Sequence, residues 1–289
     1  MTTLAPEAPL RPAARRPLFR RRTSIPGFSL TLGATLTILS LVVLIPLSAV
    51  ALRSASLTPA EFAAKAFSER AQHAYLLTFG ASMIGACING VFGLITAWAL
   101  VRYSFPGKAI VNAIVDLPFA LPTAVAGIAL ASLYSQTGWI GAVTYALGIK
   151  TAFNPTGVVI ALTFIGLPFV VRAIEPVLRD LSIEVEEASA TLGANRLQTL
   201  WRVVLPALGP AWMTGFALAF ARGVGEYGSV IFIAGNRPYV SEIAPLLITI
   251  QLQQFDFEGA SAIATVMLAV SFVMLLLINA IQAWSRRMG

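Results

Sequence analysis

The stretch EEASATLGANRLQTLWRVVLP, from Glu186 to Pro206, is a polar interruption in a chain of 289 residues of which only 11% are charged. Apolar side chains recur here every three or four residues and so share one face of a predicted helix: Leu181, Val185, Ala188 and Leu192. The acidic side chains lie off that face: Glu184, Glu186 and Glu187. Gly193 is predicted to end this helix, because glycine adopts a left-handed backbone conformation without steric cost.

A second short helix is predicted after the glycine. Asn195 can cap its first turn, with Gln198 three residues later as the partner in a capping box. Its apolar stripe consists of Leu197, Leu200, Trp201 and Val204. Pro206 is predicted to stand where the fifth membrane helix begins, because its fixed φ and missing donor suit a first helical turn. Residues 180–206 are named the polar segment below.

The rest of the composition indicates a membrane protein. Hydrophobic residues make up 57% of the chain and the mean hydropathy is +0.79. Six runs without charges are long enough to cross a bilayer, although the third is too long for one crossing and must include a loop: 28–52, 71–101, 117–149, 151–171, 203–221 and 259–285. They lack the alternation of a barrel strand, so we predict an all-α integral membrane protein with six transmembrane helices.

The basic residues predict the orientation. The proline- and arginine-rich residues 1–26 have no apolar periodicity and are predicted to be a disordered tail, followed by a transmembrane domain over 27–289 with its core at about 71–284. Six crossings place both termini and the polar segment on one side, and most Lys and Arg residues fall on that side. By the positive-inside rule this side is cytoplasmic. The net charge of +7 is then explained by the basic residues that set the orientation and contact anionic lipids. We therefore expect no nucleic-acid partner.

The chain lacks the residues for chemistry of its own. It has one cysteine and one histidine, too few for a zinc site, and no P-loop sequence for binding ATP. We therefore expect no enzyme activity, no metal and no cofactor on this chain, and any nucleotide energy must come from another protein. An amphipathic polar segment is also compatible with a helix lying on lipid headgroups. The acidic cluster favours a protein partner instead, because headgroups on that leaflet are anionic.

The polar segment resembles a signature of permease subunits of bacterial ATP-driven (ABC) importers. That signature is E-A-A, three residues, G, nine residues and I-x-L-P, and its positions correspond here to Glu187, Ala188, Gly193, Val203, Leu205 and Pro206. Ser189 replaces the second alanine and Val203 the isoleucine. The resemblance implies a type I importer (MetI-like) permease fold, with a cytoplasmic coupling-helix pair between helices 4 and 5. It also implies a cytoplasmic ATPase dimer that binds ATP and Mg²⁺ and docks on this segment.

Further stretches resemble one branch of that family, the T-type permeases of sulfate/thiosulfate importers: GVFGLITAWALVRYSFPGK (90–108), DLPFALPTAVAGIALASLYS (116–135), GLPFVVRAIEPVL (166–178), GEYGSVIFIAGN (225–236) and QFDFEGASAIA (254–264). This resemblance implies a bacterial inner-membrane complex with a second, W-type permease and a periplasmic sulfate/thiosulfate-binding protein. Two alternatives stay open: a molybdate or tungstate importer, and an ion-coupled secondary transporter. The second would need a membrane relay of acids or histidines and usually internal repeats, which we do not find.

Three residues are candidates for an anion pathway. Arg222 and Glu226 are four residues apart in the RGVGEYG stretch, so they can pair on one helix face and hold a bend. Alternatively, Arg222 attracts the anion while Glu226 prevents permanent trapping. Thr123 follows Pro122, where a helix start would offer backbone amides to an oxyanion.

Overall fold

The computed structural model describes residues 28–288, with the side chains of Ser29 and residues 283–288 left undescribed. The tail predicted at residues 1–26 lies outside the described residues. The regular secondary structure of the described part consists of helices without any strand, which confirms the all-α prediction. By its internal contacts the chain divides into two units, residues 1–49 and 50–289.

The helices are numbered in chain order. Residues 28–55 carry α1 (Phe28–Leu39), a five-residue π-helix (Ser40–Leu44) and α2 (Ile45–Ala55). The next part holds α3 (Pro59–Ala66), α4 (Glu69–Arg102), α5 (Lys108–Ala120), α6 (Thr123–Tyr134), α7 (Trp139–Ala146) and α8 (Pro155–Asp180). It is followed by α9 (Ile183–Thr191), α10 (Arg196–Thr199), a second π-helix (Leu200–Val204), α11 (Leu205–Val224), α12 (Val230–Ile233), α13 (Ala244–Gln253) and α14 (Phe257–Met288).

In the described residues, five helices are long and apolar enough to cross a membrane: Leu30–Ala55, Glu69–Arg102, Pro155–Asp180, Arg196–Val224 and Phe257–Gln282. A sixth crossing is available if α5 and α6, which are bent by 117° at a short break, count as one span. This break, at residues 121–122, is the loop expected within the third apolar run. The sequence did not predict α13, because its ten residues are too few to cross a bilayer.

Both π-helices precede a proline. Leu205 donates its N–H to the carbonyl of Leu200, five residues back, and Pro206 follows. Ile45 donates to Ser40 in the same way, and Pro46 follows. In a regular α-helix a proline ring clashes with the carbonyl four residues earlier. The wider π turn moves that carbonyl away, so each helix continues through its proline.

The helices α4, α8 and α11 pack closely around glycine. A Cβ on Gly93 of α4 would lie 2.7 Å from Cγ1 of Val170 on α8, and one on Gly215 of α11 would lie 2.8 Å from the Cα of Val170. Trp212 of α11 donates its indole N–H to the carbonyl of Gly90 at 2.8 Å. The small residues Ser82, Ala86 and Gly90 are spaced by four along α4, and all three are buried. Small residues promote such contacts in membranes.

Gly215→Ala should therefore destabilise the chain, while Gly209→Ala in the same helix should not. Both changes favour helix formation by about 1 kcal/mol. At Gly215 the added methyl meets the backbone of buried Val170, and overpacking of this kind costs about 1–3 kcal/mol. At Gly209 nothing lies within 4 Å of the added atom. Thermal unfolding of the two variants in detergent tests this, and equal melting temperatures would contradict the proposed contact.

Candidate functional site

The first half of the polar segment folds as the sequence predicts. Ser182 caps α9 by accepting the N–H of Glu184 on its hydroxyl at 3.2 Å. The helix ends at Gly193, which has a left-handed φ of +85°. The N–H of Gly193 donates to the carbonyl of Ala190 at 3.0 Å, and that of Ala194 to Ser189 at 3.1 Å. These two bonds form a Schellman motif, so the predicted glycine termination is confirmed.

The second half is only partly as predicted. The capping box is present: Asn195 Oδ1 accepts the N–H of Gln198 at 2.8 Å, and Gln198 Oε1 accepts the N–H of Asn195 at 2.9 Å. Pro206 lies in the first turn of α11, as predicted, but the membrane span as a whole begins earlier. One continuous span of 29 residues runs from Arg196 to Val224, because the π turn before Pro206 lets the helix pass through the proline. Leu205 and Pro206 therefore lie inside the helix.

The apolar side chains of the segment are divided between two environments. Leu181 and Leu200 pack against the core, and Val204 is buried. An exposed apolar surface remains on the outer side: Ile183, Val185, Leu192, Leu197 and Trp201. The predicted signature residues Glu187 and Ala188 are also exposed. Leu192, beside the Gly193 turn, is 88% exposed, an extreme value for a leucine. This exposed surface is suited to a partner rather than to the chain's own core.

Ser189 connects the two halves of the segment. Its hydroxyl shares a hydrogen bond of 2.6 Å with the hydroxyl of Thr199, and both side chains are buried. Ser189 also donates to the carbonyl of Glu186 at 2.7 Å. The sequence indicated only that serine replaces an alanine at this position. The hydroxyl of Thr199, ten residues later, was the signal that could have revealed the contact.

The predicted pairing of Arg222 with Glu226 is confirmed. Arg222 Nη1 lies 2.5 Å from Glu226 Oε2, with the arginine side chain one-third exposed and the glutamate buried. The other carboxylate oxygen of Glu226 accepts the N–H and the hydroxyl of Ser229 at 2.8 and 2.9 Å. The carboxylate thus ties the end of α11 to the start of α12. The contact therefore holds the bend in the RGVGEYG stretch, as the spacing of Arg222 and Glu226 indicates.

The structure brings Thr123 to the same place. Thr123 is the first residue of α6, as the position of Pro122 predicted, and its hydroxyl lies where a Cβ on Gly228 would be. One turn further along α6, Gly127 packs directly on the backbone of Ser229. The amino-terminal end of α6 therefore adjoins the loop that Arg222 and Glu226 hold. Thr123 thus lies beside Gly228, two residues after Glu226.

Ion pairs that the sequence did not reveal fix α8 and α4. Arg172 binds both carboxylate oxygens of Asp116 on α5, at 2.8 and 2.6 Å, and also pairs with Glu175. At the start of α4, Arg70 binds both carboxylate oxygens of Glu242, at 2.7 and 2.6 Å. The partners are 56 and 172 residues apart, so no local spacing signals them. Among the described residues, no group of three or more His, Cys, Asp or Glu side chains could hold a metal ion.

Another ion pair lies near the Arg70 end of α4. Lys65 of α3 pairs with Asp256, which precedes α14, at 2.8 Å between Nζ and Oδ1. The hydrogen bond from Lys65 lowers the pKa of Asp256 and raises that of the lysine. Asp256 also caps α14 by accepting the N–H of Gly259 at 2.9 Å. These contacts keep α3 on the start of α14.

Ser189→Ala should loosen the polar segment without affecting the membrane helices. The change removes the bond to Thr199 and leaves a buried hydroxyl unpaired, a loss of about 1 kcal/mol, or roughly fivefold in a local opening equilibrium. Hydrogen exchange of backbone amides 186–199 should accelerate accordingly. The matched control is Thr191→Ala, because that exposed hydroxyl bonds only the carbonyl of Ala188 in its own helix. Equal exchange in the two variants would contradict a joining role for Ser189.

Residues 89–288 match the family described as binding-protein-dependent transport system inner membrane components. The sulfate transport system permease protein CysT of Synechocystis sp. is 48% identical over 253 residues, covering 88% of each chain. CysT of Escherichia coli K12 is 45% identical over 262 residues, covering 91% of this chain and 95% of its own.

Among solved structures, a bacterial ABC transporter that imports the acidic polysaccharide alginate has a TM-score of 0.72 at 17% identity, covering 90% of this chain and 95% of its own. The MetNI methionine ABC transporter has a TM-score of 0.52 at 16% identity, covering 72% and 93%. At these identities the structures establish the fold, which is the predicted MetI-like one. The chain is a multi-pass membrane protein that belongs to the family of binding-protein-dependent transport system inner membrane components and resembles its CysT branch.

Proposed function

We propose that this chain is the T-type permease subunit of an ATP-driven sulfate/thiosulfate importer and forms half of its translocation pathway. The observation that carries the proposal is the nearly full-length similarity to proteins named as sulfate transport permeases, at 45–49% identity. The other half of the pathway is a W-type permease, and a periplasmic binding protein delivers the anion. The chain lies in the bacterial inner membrane with both termini in the cytoplasm.

The polar segment is the docking site for the cytoplasmic ATPase dimer. Its exposed apolar residues, among them Val185 and Leu192, need a cover, and the exposed Glu187 gives the surface a charge that a basic groove would complement. The glycine turn and the capping box hold the two helices at a fixed angle, which a force-transmitting element requires. Leu205 and Pro206 continue this element into α11. ATP and Mg²⁺ bind to the ATPase, and this chain needs no cofactor.

The anion pathway includes Arg222, Glu226 and Thr123. The guanidinium of Arg222 is one-third exposed, so an oxyanion can approach it, while buried Glu226 limits how tightly the anion binds. The first amides of α6, at Thr123 and Ala124, lie beside the same loop and offer neutral donors. A balanced site of this kind binds an anion weakly enough to release it.

Uptake of radiolabelled sulfate tests the function. Cells that lack their own T-type subunit should regain uptake when this chain is supplied, and excess thiosulfate should suppress that uptake while molybdate should not. Suppression by molybdate instead would support a molybdate or tungstate importer. A chain that inserts and assembles with its ATPase but restores no uptake would contradict the sulfate assignment.

Removing both charges of the Arg222–Glu226 pair should weaken sulfate uptake. Arg222→Gln alone leaves Glu226 buried without its partner, at a cost of about 3–5 kcal/mol, and so confounds stability with transport. In the double variant Arg222→Gln/Glu226→Gln, the change at Glu226 keeps the side-chain volume and an oxygen that accepts the bonds from Ser229. We expect a half-saturating sulfate concentration raised by about tenfold, the loss of one charge-assisted contact of 1.4 kcal/mol. An unchanged value in an assembled complex would restrict the pair to its structural role.

Substitution of Gly193 should separate transport from assembly. At φ +85° a β-branched residue is strongly disfavoured, whereas asparagine tolerates this conformation. Gly193→Val should therefore abolish uptake while the chain stays in the membrane, and Gly193→Asn should keep most of it. Retained uptake by Gly193→Val would show that the turn is dispensable for coupling.

A further inference from the structure

The last residue of α4 reaches into the polar segment. Arg102 donates from Nη2 to Glu186 Oε1 at 2.6 Å and to the carbonyl of Leu181 at 3.1 Å. Its guanidinium also lies over the ring of Trp98, one turn earlier, with 5.8 Å to the ring centroid. The side chains of Arg102 and Glu186 are only 13% and 25% exposed, so solvent screens this ion pair weakly.

Apolar packing makes this connection only in the core, where Leu181, Leu200 and Val204 share one hydrophobic cluster with Leu100 of α4. A groove of about 640 Å³ separates the end of α4 from the polar segment, with Leu94, Ile95 and Trp98 on one wall and Ala190, Leu200 and Val204 on the other. Within residues 28–288, the hydrogen bonds and ion pairs that join α4 to positions 181–199 all come from Arg102. The polar part of the contact therefore depends on one side chain.

The order of the helices along the chain shows which of them are joined to the polar segment through the backbone. The polar segment is joined through the backbone to α8 and α11, but α4 continues instead into α5 and the bent α6. Movement of the segment reaches α8 and α11 directly. It reaches α4 through helix packing and through Arg102.

We propose that Arg102 is a positioning residue that links the polar segment directly to α4, so that ATP-driven movement of the segment also displaces α4. The inference rests on the proposed coupling function. Through its two bonds from Nη2, the guanidinium holds the polar segment directly to α4. Without these bonds, movement of the segment reaches α4 only through the packing of α4 on α8 and α11. Loss of the pair then lowers the rate of sulfate uptake more than the rate of ATP hydrolysis, so the amount of sulfate moved per ATP falls.

The test uses the assembled complex of both permeases and the ATPase in proteoliposomes, with its binding protein, and measures sulfate uptake and ATP hydrolysis in the same sample. We expect Arg102→Gln and Glu186→Gln each to lower the sulfate-to-ATP ratio by about fivefold, the lower end of typical coupling between sites. The double variant should lower it no further, because both changes remove the same contact. Lys108→Gln is the matched control, since its ammonium donates only to the nearby carbonyl of Tyr103.

An unchanged ratio in Arg102→Gln, or effects that multiply in the double variant, would overturn the proposal. If Arg102→Gln fails to assemble, Glu186→Gln still decides, because it keeps the arginine and neutralises only the partner. A wild-type complex that hydrolyses ATP but moves no sulfate would instead contradict the proposed function. That result is independent of Arg102.

Discussion

Close packing of three helices around glycine forms the core from which the candidate sites project. Lipid and core side chains are equally apolar, so packing and polar contacts hold membrane helices together. Glycine supplies that packing here: Gly93 and Gly215 both press on Val170, and Gly90 receives the indole N–H of Trp212. Because α4, α8 and α11 meet in this way, Arg102 at one end and Arg222 near the other project from the same helix core. A shift in one of these helices alters both ends.

Charges in this chain are placed where they hold elements together. Glu226 joins two helix ends and Asp116 holds α5 to α8. Burying such carboxylates is costly unless each is paired and hydrogen-bonded, and the structure satisfies both conditions for Glu226. Glu226 is thus a structural tie, and we propose that it also belongs to the anion pathway.

Local chemistry explains what the sequence predicted well. The turn at Gly193 and the capping box of Asn195 depend on residues within one turn of each other, so their geometry follows from residue type alone. The extension of the fifth membrane span back to Arg196 did not follow, because the π turn before Pro206 lets the helix continue through the proline. The ion pair of Arg102 with Glu186 joins residues 84 apart, and only the tertiary fold brings them together. The short helix α13 was missed because its ten residues are too few to cross a bilayer, and crossing length was the criterion by which membrane helices were predicted.

The π turn at Leu200–Val204 also sets the rotational phase of the fifth span. Each residue of an α-helix advances about 100° around the axis, so one extra residue in a turn rotates everything downstream by that angle relative to the residues before it. The polar segment and the helix core are therefore aligned through this one irregular turn. A regular helix from Arg196 onward would present the exposed Trp201 and the buried Gly215 at a different angle to each other. Pro206 makes the regular α-helix sterically unfavourable. The rotation of the fifth span is therefore set by the one extra residue in the π turn and not by a contact with another helix.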